Sequence, residues 1–466
     1  MKHLKRLLAL CLCAALLAGT IPPAGYAAEP TRDASGWERG LDGALGWYED
    51  SYYSIAKRSG NNNWRQALAT ANGELALLES GDPDEDVLIF NNTKIVFDAV
   101  GLYEAPDIAD VLDEQRAGAI NYNSWVWNDA ANAWDQQTYG VSGGRGMVWS
   151  RPYQPAAQYR IKNNDFSAAN RTSYRRWTNY ETAEVGAQWK DASGNEWNRR
   201  SFASRADELI VTYIEAPAGR TLDLTLTMDH LTDMRNEGTV DALPDSDYVV
   251  TQENGTVTGF GTVAKYQIRN DKGSRNPNKT LFSYGGWASA TRVVTSGSVE
   301  YSAAKRTVAA NSGFSVSQAF EANDPRLHIT GTSSVLLLTK VDRQDDGCTT
   351  VGDVKQKLYD RLQGELAALV SEKAIQSDEA SYQRLLAPHA ELHGGMFNKV
   401  RLELCRSAEE LADRELTNTR LIQKQSDSPE RINKAFLERV YNNGRYGLIC
   451  AHGYGSTRLG GIWCGT

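Results

Sequence analysis

Residues 185–229 read VGAQWKDASGNEWNRRSFASRADELIVTYIEAPAGRTLDLTLTMD, and their spacing decides the fold. Four runs rich in Val, Thr, Trp, Tyr and Ile stand out: Val185–Trp189, Trp197–Phe202, Glu208–Glu215 and Arg220–Asp229. Such residues suit a pleated, half-buried surface, and clusters of Gly, Asn and Asp break the runs. Asp191-Ala192-Ser193-Gly194-Asn195 reads as a hairpin loop between the first two. The run Leu209–Ile214 is nearly all apolar, which suits a strand buried between two sheets.

The same texture extends from about residue 35 to 340, and Ser333–Val341 is a further strand. Together the runs predict a large antiparallel β-sandwich, with a domain boundary near residue 345. The pattern then changes near Val351. Asp353–Leu369 and Asp378–Ala387 place apolar residues at helical spacing among Ala, Leu, Glu, Lys and Gln, and Ser377-Asp378-Glu379 is a helix start. Residues 346–395 therefore read as a helical linker. Glu409–Arg420 and Ser428–Ile449 would open a further helical domain over 396–466, with Ser428 as cap and Pro429 in the first turn. In the last of these helices Phe436, Leu437, Val440, Tyr441 and Leu448 fall on one stripe. A Gly-rich stretch follows, with Gly453, Gly455 and Gly460-Gly461-Ile462-Trp463. No internal repeat interrupts this order.

Residues 1–28 read separately. Lys2, Lys5 and Arg6 precede the apolar run Leu7–Ala18, and Gly25-Tyr26-Ala27 offers a small-x-small cleavage site. This is the pattern of a Sec signal peptide, and the run is too short to span a bilayer. The mature protein is expected to be exported, without a membrane anchor. Removal of the three basic residues takes the formal charge from −8 to about −11. That balance excludes nucleic acid as a partner, because phosphate binding needs clustered Lys and Arg. Cys348, Cys405, Cys450 and Cys464 remain, far apart and without C-x-x-C spacing. They predict no zinc site and allow one or two disulfides outside the cell. His389 and His393 lie four apart around Glu391, yet H-x-E-x-H is not H-E-x-x-H and no third ligand is near in sequence. Contacts between domains are the expected role, and neither a metal nor another cofactor is implied. The chain holds 12 Trp and 21 Tyr against 10 Phe, a balance that favours flat rings with a polar handle, as sugar ligands do.

A set of short motifs adds a resemblance. Arg445, Tyr446, Leu448, Ile449 and Gly461-Ile462-Trp463 match the GRYLL-I…G-I-W-N signature of glycoside hydrolase family 95, the α-L-fucosidase-type enzymes, whereas Ala451, His452 and Cys464 do not. Trp64–Gly73 resembles that family's W-x-x-A-L-P-x-G-N-G opening, and Phe90–Thr93 stands where the family has L-N-E-x-T, here without the Glu. Tyr153-Gln154-Pro155 with Tyr159-Arg160-Ile161 is similar to Y-Q-P-x-G-D-L-x-I, and Tyr174–Ala183 to Y-x-R-x-L-D-L-x-T-A. Arg199–Ser204 with Asp207–Val211 resembles R-E-x-F-x-S-x-P-D-x-V-I-V, with Arg200 in place of the Glu. His389 with Met396–Leu402 resembles H-x-x-x-Y-x-x-L-F-x-R-V-x-L. Most of these positions also read as ordinary strands and turns; Asn72-Gly73 suits a positive-φ turn.

The resemblance implies a β-then-α multidomain chain: a super-sandwich, linker helices and the first helices of a truncated (α/α)6 barrel. It implies an inverting hydrolase acting on terminal α-L-fucosyl or α-L-galactosyl residues of glycans. Inversion needs a carboxylic acid on the leaving oxygen and a water held opposite. The family's acid Glu, its Asn pair and its Asp all lie beyond the G-I-W-N signature, so no catalytic residue is expected before Thr466. Trp463, His452 and Arg445 are the substrate-proximal candidates. The apolar, Gly-rich end leads us to expect an N-terminal portion, inactive by itself. The competing reading is a non-catalytic carbohydrate-binding β-sandwich; a scaffold protein of the envelope lacks the repeats it would need.

Overall fold

The computed structural model describes residues 67–95, 154–165, 170–229, 245–269, 282–308 and 320–453, with isolated positions in 31–48 and 112–139. The signal-peptide reading, Trp463 and the Gly-rich end lie outside the described residues. The chain builds two large antiparallel sheets. In the nine-stranded sheet the spatial order is Ser246–Glu253, Thr256–Arg269, Phe282–Thr295, Ser334–Gln344, Leu209–Glu215, Glu196–Ser204, Val185–Lys190, Ser173–Asn179 and Leu45–Tyr48. In the seven-stranded sheet it is Ser298–Val308, Phe320–Thr332, Leu222–Met228, Ala157–Asn163, Glu85–Asn92, Leu75–Glu79 and Leu68–Ala71.

The diagnostic stretch forms four strands, Val185–Lys190, Glu196–Ser204, Leu209–Glu215 and Leu222–Met228. Its first loop is a hairpin closed by Asp191, whose Oδ1 accepts the backbone N–H of Ser193 at 2.9 Å and of Asn195 at 3.0 Å. Trp189 and Trp197 face each other across this hairpin, their rings stacked 6.3 Å apart. Period-two alternation then divides Leu209–Glu215 between two cores. Ile210 and Ile214 join Trp189, Trp197, Trp287 and Leu337 between the sheets. Leu209, Val211 and Tyr213 face the opposite way and pack with Leu358, Leu362, Leu366, Tyr382 and Leu385. The apolar run is thus buried between a sheet and helices, not between two sheets. A run with no polar face demands burial on both sides, and helices provide one of them.

Helices begin at Val351, where the sequence changes character. Helix α1 (Val351–Val354) starts on a Thr350 capping box, passes through a π turn at Lys355–Tyr359, and continues as α2 (Asp360–Glu372). Helix α3 (Glu379–Phe397) begins on Asp378, whose side chain accepts from Ser381 N at 2.7 Å, and runs on through Pro388. The segment expected as one helix over Glu409–Arg420 is two: α4 (Ala408–Asp413) and α5 (Asn418–Asp427). Thr417 divides them by capping Arg420 N at 3.2 Å. The last helix, α6 (Lys434–Ala451), starts later than the Ser428-Pro429 signal because Asn433, not Ser428, caps it through Phe436 N at 2.9 Å.

Only part of the expected apolar stripe of α6 faces inward: Phe436 packs against Cys405, Leu421 and Ala435, and Tyr441 is half-buried. Leu437, Val440 and Leu448 are exposed, while Ala435, Glu438, Arg439, Tyr446, Cys450 and Ala451 are buried. Polar anchors decide the orientation. Glu438 accepts from Cys405 N at 2.9 Å and pairs with Arg414 at 2.7 Å, and Arg439 reaches Asn418 Oδ1 at 2.6 Å. Each buried bond to a charged group is worth about 1.5–3 kcal/mol. That outweighs leaving two or three aliphatic groups in water. Cys348, Cys405 and Cys450 are buried free thiols. No helix among the described residues is long and apolar enough to cross a membrane.

Candidate functional site

A cleft of about 780 Å³ opens where the two sheets, α2, α3 and the end of α6 meet. Its floor starts from the hairpin turn at Asn72–Glu74. Asn72 Oδ1 accepts the N–H of Glu74 at 3.0 Å and of Leu75 at 2.7 Å, which closes the turn. Gly73 adopts φ +93°, and a Cβ there would lie 2.3 Å from His452 O and 2.5 Å from Gly453 N. Glycine is required twice over, by the conformation and by the approach of the chain leaving α6.

Charged side chains line the cleft in alternating order. Lys94 pairs with Glu74 at 2.6 Å and with Asp342 at 3.2 Å. Arg361 on α2 pairs with Asp342 at 2.8 Å and with Glu365 at 2.6 Å, and Lys340 closes the row on Glu365 at 2.7 Å. Burial opposes ionisation of Asp342 and Glu365, but the neighbouring Arg361, Lys94 and Lys340 outweigh it and hold both carboxyls below their ordinary range. These groups are therefore charged hydrogen-bonding partners at neutral pH. A glycosidic general acid needs the opposite, a carboxyl raised so that it keeps its proton.

Raised carboxyls do exist, away from the cleft. Burial, then the Asp86 charge, push Glu79 up to about 8 against the pull of Arg199; burial pushes Asp82 up to about 6. Both sit inside the sandwich, where Arg199 Nη2 pairs with Asp86 at 2.7 Å and donates to Asp82 O at 2.9 Å. Glu184 is also raised by burial, and it accepts from Tyr382 Oη at 2.8 Å. At 0 % exposure Glu79 meets no substrate, so these groups hold the fold and do no chemistry.

The three sequence candidates separate. His452 ends α6 and is exposed on the cleft rim, its carbonyl accepting from Arg205 at 3.1 Å. Arg445 is turned away and closes the end of α3: it donates to Phe397 O at 2.7 Å, to Val400 O, and to Met396 O at 3.3 Å. Trp463 lies outside the described residues. The histidine pair makes contacts between the sandwich and α3. His389 Nδ1 accepts from Arg205 N at 3.0 Å, and His393 Nε2 meets Tyr180 O at 3.2 Å. Among the described residues no three His, Cys, Asp or Glu side chains are placed to hold a metal. Sequence reading missed the charged row. Its one local trace is the i, i+4 pair Arg361–Glu365, a pattern that surface helices show everywhere.

A family model described as "Glycosyl hydrolase family 65, N-terminal domain" matches residues 52–347. The chain belongs to that family of glycoside hydrolase N-terminal domains, which agrees with a two-sheet sandwich ending near residue 345. No curated protein matches the chain. Among solved structures, a protein described as a kojibiose phosphorylase from human microbiome is similar at 9% identity, with a TM-score of 0.38 over 76% of this chain and 38% of the other. A heparan sulfate lyase from Pedobacter heparinus is similar at 10% identity and TM-score 0.24, over 66% of this chain and 44% of the other. The family GH92 alpha-mannosidase from Bacteroides thetaiotaomicron is similar at 9% identity and TM-score 0.21, over 67% and 36%. The chain thus spans less than half the length of these proteins.

Proposed function

We propose that this chain is the N-terminal part of an exported glycoside hydrolase of the α-L-fucosidase type, acting on terminal α-L-fucosyl or α-L-galactosyl residues of glycans with inversion. The observation that carries the glycoside-hydrolase part of the reading is the family 65 N-terminal-domain match over 52–347. The ordered family 95 motifs point to the finer class, and the Sec-like residues 1–28 to export. In this reading the sandwich, linker helices and α4–α6 form a scaffold and a glycan-binding surface. The acid and the water-holding groups come from outside the described residues. The cleft chemistry supports this division, because Asp342 and Glu365 are held ionised and the raised carboxyls of Glu79, Asp82 and Glu184 are buried.

The second reading, a carbohydrate-binding sandwich without catalysis, draws on the same paired carboxylates. One experiment separates the two from each other and from failure. The purified 466-residue chain is titrated with a fucosylated oligosaccharide and assayed on an aryl α-L-fucoside. Binding that needs the fucosyl residue, without turnover, is the expected result. Turnover above a buffer control would place the catalytic groups within this chain. Binding that ignores the fucosyl residue favours the second reading, and no binding of any glycan overturns both.

A further inference from the structure

The row of charges in the cleft is balanced to cancel. Glu74, Lys94, Asp342, Arg361, Glu365 and Lys340 alternate in sign, and each touches a neighbour of opposite sign. Arg205 and Glu208 bring the charged side chains lining the cleft to four cations and four carboxylates. The row is also open to solvent: side-chain exposure runs from 19% at Lys340 to 48% at Lys94. An ammonium has three donors and a carboxylate about four lone-pair sites. The ion pairs use only part of this capacity, so donors and acceptors remain in alternation along the cleft.

Glu208 is the second observation. It sits in the turn between strands Glu196–Ser204 and Leu209–Glu215, lines the cleft, and is exposed. Its φ is +53°, the left-handed region where glycine is at ease and a side chain is strained. Its carboxylate makes no ion pair among the described residues. Ala183, Asp245, Asn254 and Ala374 share this conformation, so what singles Glu208 out is its exposed carboxylate beside the cleft.

We propose that this cleft is a non-catalytic binding site for a neutral oligosaccharide, held by hydrogen bonds from adjacent hydroxyls to Glu208 and to the alternating charges. A hydroxyl both donates to a carboxylate and accepts from an ammonium, so it joins the row without breaking a pair. A uronate or sulfate would compete with Glu74, Asp342 and Glu365 for their cations and face Glu208 as a like charge. The cleft therefore selects against acidic glycans. No Phe, Tyr or Trp is among the described lining residues, so the binding argued here rests on hydrogen bonds. The inference rests on the glycoside-hydrolase reading for its ligand class and adds the place and the charge selectivity.

The test is calorimetric titration of the intact chain with a neutral oligosaccharide and a uronic-acid oligosaccharide of equal length, at low and high salt. The neutral glycan should bind with little salt dependence and the acidic one more weakly. Glu208→Gly should raise the Tm by relieving the backbone, yet weaken neutral-glycan binding on the order of tenfold, the worth of one charge-assisted hydrogen bond. Glu208→Gln should weaken binding without raising the Tm. Tighter, salt-sensitive binding of the acidic glycan overturns the inference. Neutral binding untouched by both Glu208 variants places the glycan elsewhere, which overturns the inference and leaves the glycoside-hydrolase reading intact. No glycan binding at all overturns both.

Discussion

The guanidinium of Arg205 closes the end of helix α6: its Nη2 lies 2.5 Å from the carbonyl oxygen of Ile449. Its Nη1 reaches His452 O at 3.1 Å and Asn72 O at 3.0 Å. One side chain from a sandwich turn thus caps the C-terminal end of α6, adding to the 3.1 Å bond that Ile449 O already accepts from His452 N, and it sets a positive charge on the negative end of the helix dipole. It also ties the Asn72–Glu74 hairpin turn to the last helix, across one wall of the cleft.

Replacing Arg205 with Met keeps the aliphatic stem and removes these bonds. We expect a loss of about 2–3 kcal/mol in chemical denaturation, the sum of a helix-end charge and bonds to a charged donor. Hydrogen exchange should rise first at residues 445–453. Arg205→Lys should recover only part, because an ammonium lacks the planar fork. A loss of protection spread evenly over the sandwich would show that Arg205 is not a local clamp.

Gly73 tests the same junction from the opposite strand. Alanine at this position would bring its Cβ to 2.3 Å from His452 O and force a left-handed backbone on a residue with a side chain. Backbone, not a flexible side chain, stands in the way, so one chain must move. The expected cost exceeds about 2 kcal/mol, from strain and from loss of the Arg205 contacts that share the junction. Differential scanning calorimetry of Gly73→Ala measures it; a change within about 0.5 kcal/mol would mean that the end of α6 is loosely held.

The sandwich was legible because alternation and turn chemistry are local. Strands fell within two residues of their readings around Asp191–Asn195, and Asn72-Gly73 read correctly as a positive-φ turn. What failed depended on distant partners. The stripe Leu437, Val440, Leu448 has good helical spacing, yet α6 buries Glu438 and Arg439 because Cys405, Arg414 and Asn418 come to meet them. The cleft was illegible for the same reason. Lys94 and Asp342 are 248 positions apart, and no spacing rule links them. Arg445 belongs to a motif, but its role as a cap emerges only once Phe397 and Val400 are in place beside it.

Glu79 gives a prediction for the alkaline side. Burial and the Asp86 charge lift its carboxyl from 4.5 to about 8. Between those values the folded state holds a proton that the unfolded state has lost. Stability from this group is therefore complete below about pH 4.5 and falls as pH rises towards 8. Glu79→Gln keeps the shape and cannot ionise. Compared with the parent, it should gain in stability steadily from pH 5 to pH 8, by at least about 1 kcal/mol at the upper end. Parallel curves of Tm against pH for the two proteins would refute the assignment.

His389 gives the opposite slope. Its ring is fully buried against Phe202, 5.1 Å away and nearly parallel. Burial, then the nearby Arg205 charge, lower its basicity to about 3, and His393 beside it is lowered too. The native state must keep His389 neutral, because Nδ1 accepts the Arg205 N–H. Below pH 6.5 the unfolded chain binds a proton that the folded chain refuses. The contribution is whole above 6.5 and is lost as pH falls towards 3, at up to about 1.4 kcal/mol per pH unit for one such group. His389→Asn keeps an acceptor near the same place and has nothing to protonate. At pH 7 the variant should be less stable, since it gives up the ring packing on Phe202. As pH falls to 4 the two stabilities should converge, and α3 should detach from the sandwich at lower pH in the variant. Denaturation midpoints measured from pH 7 to pH 4, with hydrogen exchange at residues 379–397, test both statements. A gap between the proteins that stays constant over that range would mean that His389 is not held neutral by its surroundings.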